Sequence, residues 1–267
     1  MKPIFILGLG AQKAGTSWLH SLLSKQSNVN LGFKKEYHIW DYVFSDLGSR
    51  FEAPLKSPDT AADAIRRMMQ ADPAVYTAYF RGLITPEINV SGDITPSYSV
   101  IGRDGLEKIH GYLDGAGFDV RVFFLMRDPI ERIWSAARMQ ERNRKRKGNQ
   151  PTDSYAEKKV LDYLKLPGQV ARSDYRSTVE NIESVFPKDK VHFAIFEDLF
   201  NEASIERISA FLGFKIEGAE FDKRVNASPS ASRSAETTRA LQDFLAPQYS
   251  FCREKFPITW ELWKGSP

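Results

Sequence analysis

Residues 6–23 read ILGLGAQKAGTSWLHSLL: an apolar run, glycines, one lysine, a Thr-Ser pair and then an amphipathic segment. The order strand, glycine turn, helix decides the fold, because KPIFILGL reads as a short buried strand. TSWLHSLLSKQ, with Trp18, Leu19, Leu22 and Leu23 at helical spacing, reads as the helix behind it. A secretory signal would also open with a charge and an apolar core. Here the purely apolar stretch of Ile4-Phe5-Ile6-Leu7 breaks at Gly8, and no small-x-small cleavage site precedes Gln12-Lys13.

Further strands are predicted at 120–127 (VRVFFLMR) and 190–196 (KVHFAIF), with helices around 59–71, 103–113, 130–142, 174–186, 202–212 and 234–246. Short apolar strands alternating with amphipathic helices predict an α/β protein: a P-loop-like three-layer fold with a central, mainly parallel sheet flanked by helices. The 267 residues, 42% hydrophobic and 12% aromatic, suffice for a real core and are read as one domain, 1–267. The 37 basic and 34 acidic residues leave a formal +3, too mild to argue for nucleic acid. Cys252 stands alone, which excludes an intramolecular disulfide framework and fits a reducing, cytoplasmic setting. No stretch approaches the roughly 20 apolar residues of a membrane span.

Three phosphate loops compete for residues 8–17. A dinucleotide fingerprint needs a third glycine where Lys13 stands, and Lys34-Lys35 crowd the region where a ribose-binding acid belongs. A Walker loop has its two glycines in Gly10 and Gly15, but Thr16 takes the place of the lysine that reaches the β and γ phosphates. A P-loop kinase is thereby disfavoured. What remains is general physics: a glycine turn from a strand into a helix aims free N–H groups and the positive helix end at one anion. Lys13 adds a cation there, and Thr16 and Ser17 add hydroxyl donors.

QKAGTSWL resembles the 5′-phosphosulfate loop of sulfotransferases that use 3′-phosphoadenosine 5′-phosphosulfate (PAPS). A second element of that family, a strand ending in arginine with a serine eight residues on, is matched by FFLMRDPIERIWSAA, giving Arg127 and Ser135. KEYHIWD (35–41) is similar to the K-E-x-H-F-F-D segment of the heparan-type enzymes, GDITPSY (92–98) to their G-E-K-x-P-x-Y, and FEDL (196–199) to Y-E-D-L. Bacterial and carbohydrate sulfotransferases are the nearest branch. Two departures stand out. Ile94 occupies the position of a family lysine, and no closing Arg-Lys-Gly segment is evident, so Arg233 is the candidate to complete the 3′-phosphate clamp.

The resemblance implies a donor site of Gln12, Lys13, Ala14, Gly15, Thr16, Ser17 and Trp18 around the 5′-phosphate and of Arg127 and Ser135 around the 3′-phosphate. Lys13 would meet the charge developing on the leaving 3′,5′-adenosine bisphosphate. Glu36 would take the proton of an acceptor hydroxyl, on a sugar or small metabolite, with partial burial raising its pKa and Lys35 opposing that. His38 is the rival base, and Asp93 either orients substrate or caps a helix. No metal is expected: the four histidines lack ligand spacing. A non-catalytic binder of anionic polysaccharide on the same fold is the other alternative. The basic run 138–153 is either a solvated helix end or an attractor for an anionic acceptor, and the polar loop 226–234 is the second long connection. The aromatic residues Tyr37, Trp40, Tyr42, Phe44, Tyr76, Tyr79 and Phe80 could stack on a sugar face or fill the core. Acceptor identity and oligomeric state are not encoded in these motifs.

Overall fold

The structure, a computed structural model, describes residues 2–48, 61–146, 148, 155–221 and 233–263. Residues 59–60, most of the 226–234 loop and the end of the 138–153 run lie outside them.

Among the described residues, five strands form one sheet: β1 (Ile4–Gly10), β2 (Val29–Asn30), β3 (Val90–Ile94), β4 (Asp119–Met126) and β5 (Val191–Ile195). Their order is β2-β3-β1-β4-β5, and every pairing is parallel. Parallel neighbours require crossovers, and the helices supply them: α1 (Thr16–Leu23), α2 (Trp40–Phe44), α3 (Ala61–Ala71), α4 (Pro73–Gly82), α5 (Arg103–Gly115), α6 (Pro129–Arg146), α7 (Tyr155–Tyr163), α8 (Pro167–Ala171), α9 (Tyr175–Val185) and α10 (Glu202–Leu212). They are followed by α11 (Ala235–Lys255) and α12 (Thr259–Leu262). The central, parallel α/β arrangement is the one the sequence pattern predicts. No helix among the described residues is long and apolar enough to cross a membrane.

β1 reads as continuously apolar because both its faces are covered, from Phe5 to Leu9. The chain leaves it toward β2 and β3 on one side and resumes on the other side with β4 and β5. The reversal between β1 and β4 is a topological switch point, where the loops at the carboxyl ends of open sheets diverge and leave a crevice.

β3 is absent from the sequence reading because Ser91, Gly92 and Asp93 break any apolar pattern. All five of its residues are nevertheless buried. Gly92 permits the close approach: a Cβ there would stand 2.4 Å from the Ile6 carbonyl oxygen. α11 runs nine residues past its predicted end at 246, through Pro247, because Tyr249, Phe251 and Cys252 continue its buried face. α4, which the sequence reading did not include, begins at Pro73, with Asp72 Oδ1 accepting from Ala74 N at 2.8 Å. Tyr37, Trp40, Tyr76 and Phe80 are completely covered, so of the two roles open to them they fill the core.

Gly8 sets the β1–β3 approach, since a Cβ there would lie 2.7 Å from Ile94 Cγ2 and 2.9 Å from its backbone Cα. Gly8→Ala should cost about 1–3 kcal/mol, as overpacking against backbone does. Equilibrium denaturation checks this, and an unchanged midpoint would show that the strands can part without cost.

Candidate active site

The turn after β1 is the first part of the site. Lys13 (φ 72°) and Gly15 (φ 94°) are left-handed, which bends residues 11–15 into a cup. Lys13 has no glycine's licence for that conformation, and strain of this kind costs on the order of 1–3 kcal/mol. A Cβ on Gly15 would meet Leu199 Cδ2 at 2.8 Å and Phe196 Cδ2 at 3.2 Å, so the FEDL turn closes one wall. No side chain caps α1, leaving the first-turn amides at Thr16 and Ser17 open at the positive end of the helix. Ala14 is buried with its N–H on Ala11 O at 3.2 Å, and Gln12 is half-buried at the rim. Trp18 is turned toward the C-terminal side: its indole is 6% exposed, packs edge-on against Phe200 and donates to Glu220 O at 3.2 Å.

The second part follows β4. Asp128 caps α6 by accepting from Ile130 N at 3.0 Å and Glu131 N at 3.1 Å, and Tyr249 of α11 donates to the same oxygen at 2.6 Å. Tyr175 donates to Arg127 O at 2.9 Å, and Arg127 lies over the Phe196 ring at 4.5 Å. Thus fixed, Arg127 donates from Nη1 to Lys13 O at 3.3 Å, while its Nε is buried without a hydrogen-bond partner. Ser135 stands about two turns into α6, 6% exposed. Arg233 reaches the same helix through Glu131, at 2.7 Å, and Arg127 Nη2 stands 3.9 Å from that carboxylate.

The charges converge. Burial first, then the positive charges of Arg142, Arg127, Lys35 and Arg138, push the Lys13 ammonium down to about 8. Arg138 and Arg142 follow Ser135 by one and two turns, on the face of α6 turned to the cup. They belong to the basic run; sequence reading missed them as individual residues, and the signal that could have found them is their helical spacing from Ser135. Four guanidinium or ammonium groups thus crowd a fifth, an arrangement that favours an anion among them.

The third part is 35–41. Lys35 Nζ meets Glu36 Oε1 at 2.7 Å, His38 Nε2 stands 3.6 Å from Glu36 Oε2, and His38 Nδ1 lies 2.7 Å from Asp41 Oδ2. Burial alone would raise the Glu36 carboxyl, as expected above. The His38 and Lys35 contacts outweigh it and hold the group at about 2, a correction to that expectation. Burial likewise opposes charge on His38, but hydrogen bonds to Asp41 and Glu36 lift it to about 9.

Residues 92–98 hold this segment in place. Thr95 Oγ1 accepts from Tyr37 N at 3.0 Å, Tyr98 OH accepts from Ile39 N at 3.2 Å, and Ser97 donates to Asp41 Oδ2 while lying 3.2 Å from His38 Nδ1. Asp93, 1% exposed, neither caps a helix nor faces a ligand-accessible surface. Ile94 is equally buried against Gly8. Asp41, Thr95, Ser97 and Tyr98 were missed as individual residues, although both motifs that contain them were recognised.

Lys13, Thr16, Ser17, Arg127 and Ser135 therefore stand on adjoining loops and helix starts, with Lys35 near enough to act on the Lys13 ammonium and Glu36 held between Lys35 and His38. Residues 118–243 match the family model described as a sulfotransferase domain. The fold is similar to a sulfotransferase from Alicyclobacillus acidocaldarius, at 17% identity and a TM-score of 0.62, covering 95% of this chain and 96% of that one. It is similar also to the sulfotransferase domain from the Synechococcus PCC 7002 olefin synthase, at 18% identity and a TM-score of 0.51, covering 82% of this chain and 76% of that one. At these identities the likeness is one of fold. No curated protein sequence matches the chain.

Lys13 gives the cluster a pH signature, because arginines do not titrate and a lysine held near 8 does. Affinity for sulfate, which does not itself titrate there, should fall by up to about tenfold from pH 7 to pH 9 as Lys13 loses its proton. Lys13→Met should bind weakly at both pH values, with no slope. Calorimetric titration checks this, and a wild-type affinity independent of pH would remove Lys13 from the anion site.

Proposed function

We propose that this chain is a sulfotransferase that moves a sulfuryl group from PAPS to a hydroxyl of a carbohydrate or small-molecule acceptor, releasing 3′,5′-adenosine bisphosphate. The 267 residues are read as one transferase domain acting in the cytoplasm. The observation that carries the reading is the contact between Arg127 and the Lys13 turn, 114 residues apart in sequence. It joins two anion cradles into one crevice at the sheet's switch point. A donor with phosphates at both ends of one adenosine is a ligand that such a pair suits.

The residues present fit that donor. Open first-turn amides with Thr16 and Ser17 suit a 5′-phosphate, and the orphaned Nε of Arg127, with Ser135, suits a 3′-phosphate. Arg138 and Arg233 stand near enough to assist, and Arg233 fills the role of the missing closing segment. The donor would supply the sulfuryl group and its bisphosphate leaving group. Lys13 and Lys35 stabilise negative charge, Lys13 at the leaving oxygen and Lys35 beside Glu36.

Glu36 is the proposed general base. Its carboxyl at about 2 is ionised at any physiological pH, so it is always able to accept. His38, held protonated up to about 9, has no free lone pair to offer at neutral pH. Its role is to donate to Asp41 from one nitrogen and steady Glu36 with the other. A carboxylate held this low is a weak base, and its efficiency rests on accepting the acceptor's proton as that oxygen bonds to sulfur. As sulfur–oxygen bonding withdraws electrons from the acceptor hydroxyl, its proton becomes acidic enough to pass to Glu36.

Saturation with 3′,5′-adenosine bisphosphate at 100-fold its Kd should stabilise the protein by about 2.7 kcal/mol, and ATP–magnesium at the same concentration should do less. Glu36→Gln should keep that stabilisation and lose about 10²–10⁴-fold in transfer to a panel of sugar and small-molecule hydroxyls. Equal stabilisation by ATP–magnesium would favour a kinase, and stabilisation by heparin alone a polysaccharide binder. Full activity in Glu36→Gln would remove it as base.

A further inference from the structure

Asp93 lies at the end of β3, buried to 1%, and its two oxygens serve three hydroxyl groups. Oδ1 accepts from Thr95 Oγ1 at 2.6 Å, and Oδ2 accepts from Tyr98 OH at 2.6 Å and from Tyr76 OH on α4 at 3.1 Å. A hydroxyl has one hydrogen and two lone pairs. Because Thr95 and Tyr98 spend their hydrogens on the carboxylate, their lone pairs are the groups left to face outward. Those lone pairs receive Tyr37 N and Ile39 N, the two amides on either side of His38.

That residue needs holding. His38 has φ 56°, a left-handed conformation that a β-carbon disfavours. Two backbone tethers flank it, Gln70 Nε2 donates to its carbonyl at 2.7 Å, and Arg66 Nε donates to Tyr37 O at 2.8 Å. An ionised carboxylate is an obligate acceptor, so it dictates the direction of both hydroxyl relays at once. An amide in its place would donate to one hydroxyl and turn that relay's hydrogen against the backbone N–H it should receive.

We propose that Asp93 is a positioning residue for the transfer reaction, holding Glu36 and His38 in line by orienting Thr95 and Tyr98 as acceptors for the amides of Tyr37 and Ile39. The role rests on the reading of Glu36 as the base, but the geometry it predicts can be read without any acceptor substrate. Burial pushes the Asp93 carboxyl up to about 6 and the three hydroxyl bonds oppose that, so at neutral pH the acceptor-only form prevails. The groups that face it are Tyr76 from α4, Tyr98 and Thr95 from the turn after β3, Tyr37 from the held segment and Asp41 from α2.

The His38 ring reports on the alignment, since its high pKa comes from Asp41 and Glu36 and is lost if the segment slips. NMR titration of the histidine rings, assigned with His38→Gln, should place His38 near 9 in the wild-type protein. In Asp93→Asn it should move toward the ordinary value by about one unit or more. The affinity for 3′,5′-adenosine bisphosphate should stay within about threefold, because the anion cradles lie on β1 and β4. Tyr98→Phe and Thr95→Val each remove one relay and should give smaller shifts of the same sign; they carry the test if Asp93→Asn does not fold. A folded Asp93→Asn, or both single-arm variants, with His38 titrating as in wild type would overturn the proposal. Failure of the wild-type protein to bind the bisphosphate would instead sink the donor reading and leave the His38 result standing.

Discussion

The parallel pairing of β1 with β4 is the constraint on which the rest depends. Register from Ile4 opposite Asp119 to Gly10 opposite Phe124 brings the two strand ends level, and Ala11 N then donates to Leu125 O at 2.7 Å. Residues that follow each strand have nowhere to go but into a shared crevice. The glycine turn into α1 and the Arg127–Pro129 turn into α6 therefore face one another, although more than a hundred residues separate them. Tyr175, Phe196 and Tyr249 come from three later elements and fix the second turn against the first. The site is a consequence of sheet order before it is a consequence of any side chain.

On the other side of β1, β3 does a comparable job for the chemistry. Its polar residues look out of place in a buried strand until their partners are counted. Gly92 lets the strands close, and the turn beyond Asp93 presents Thr95, Ser97 and Tyr98 to residues 37–41. The arginines gather on the β4 side, and Glu36, the proposed base, belongs to the segment held from the β3 side. Lys13 feels both sides: burial first, then the positive charges of Arg142, Arg127, Lys35 and Arg138, lower the pKa of its ammonium.

Much of this was legible in the sequence. Continuous apolar runs at β1, β4 and β5 mark parallel strands, and a glycine turn with an interior lysine marks a candidate anion cradle without reference to any fold. The Arg127–Ser135 spacing makes sense on a strand followed by a helix, and both elements are there. What was not legible depends on tertiary partners. β3 carries no periodic signal because its polar side chains are satisfied by groups distant in sequence. The pKa of Glu36 cannot be read from burial alone, since the sign is decided by Lys35 and His38. α11 overruns its predicted end at 246, through Pro247, because its buried face continues past it. Trp18 packs against Phe200, a tertiary partner that the helical spacing of α1 does not reveal.

The most direct test of the central claim is a crystal structure with 3′,5′-adenosine bisphosphate. One phosphate is expected within hydrogen-bonding distance of the Lys13–Ser17 turn and the other within reach of Arg127 and Ser135, with a single adenosine bridging them. A nucleotide held by only one of these cradles, or bound elsewhere on the protein, would contradict the account.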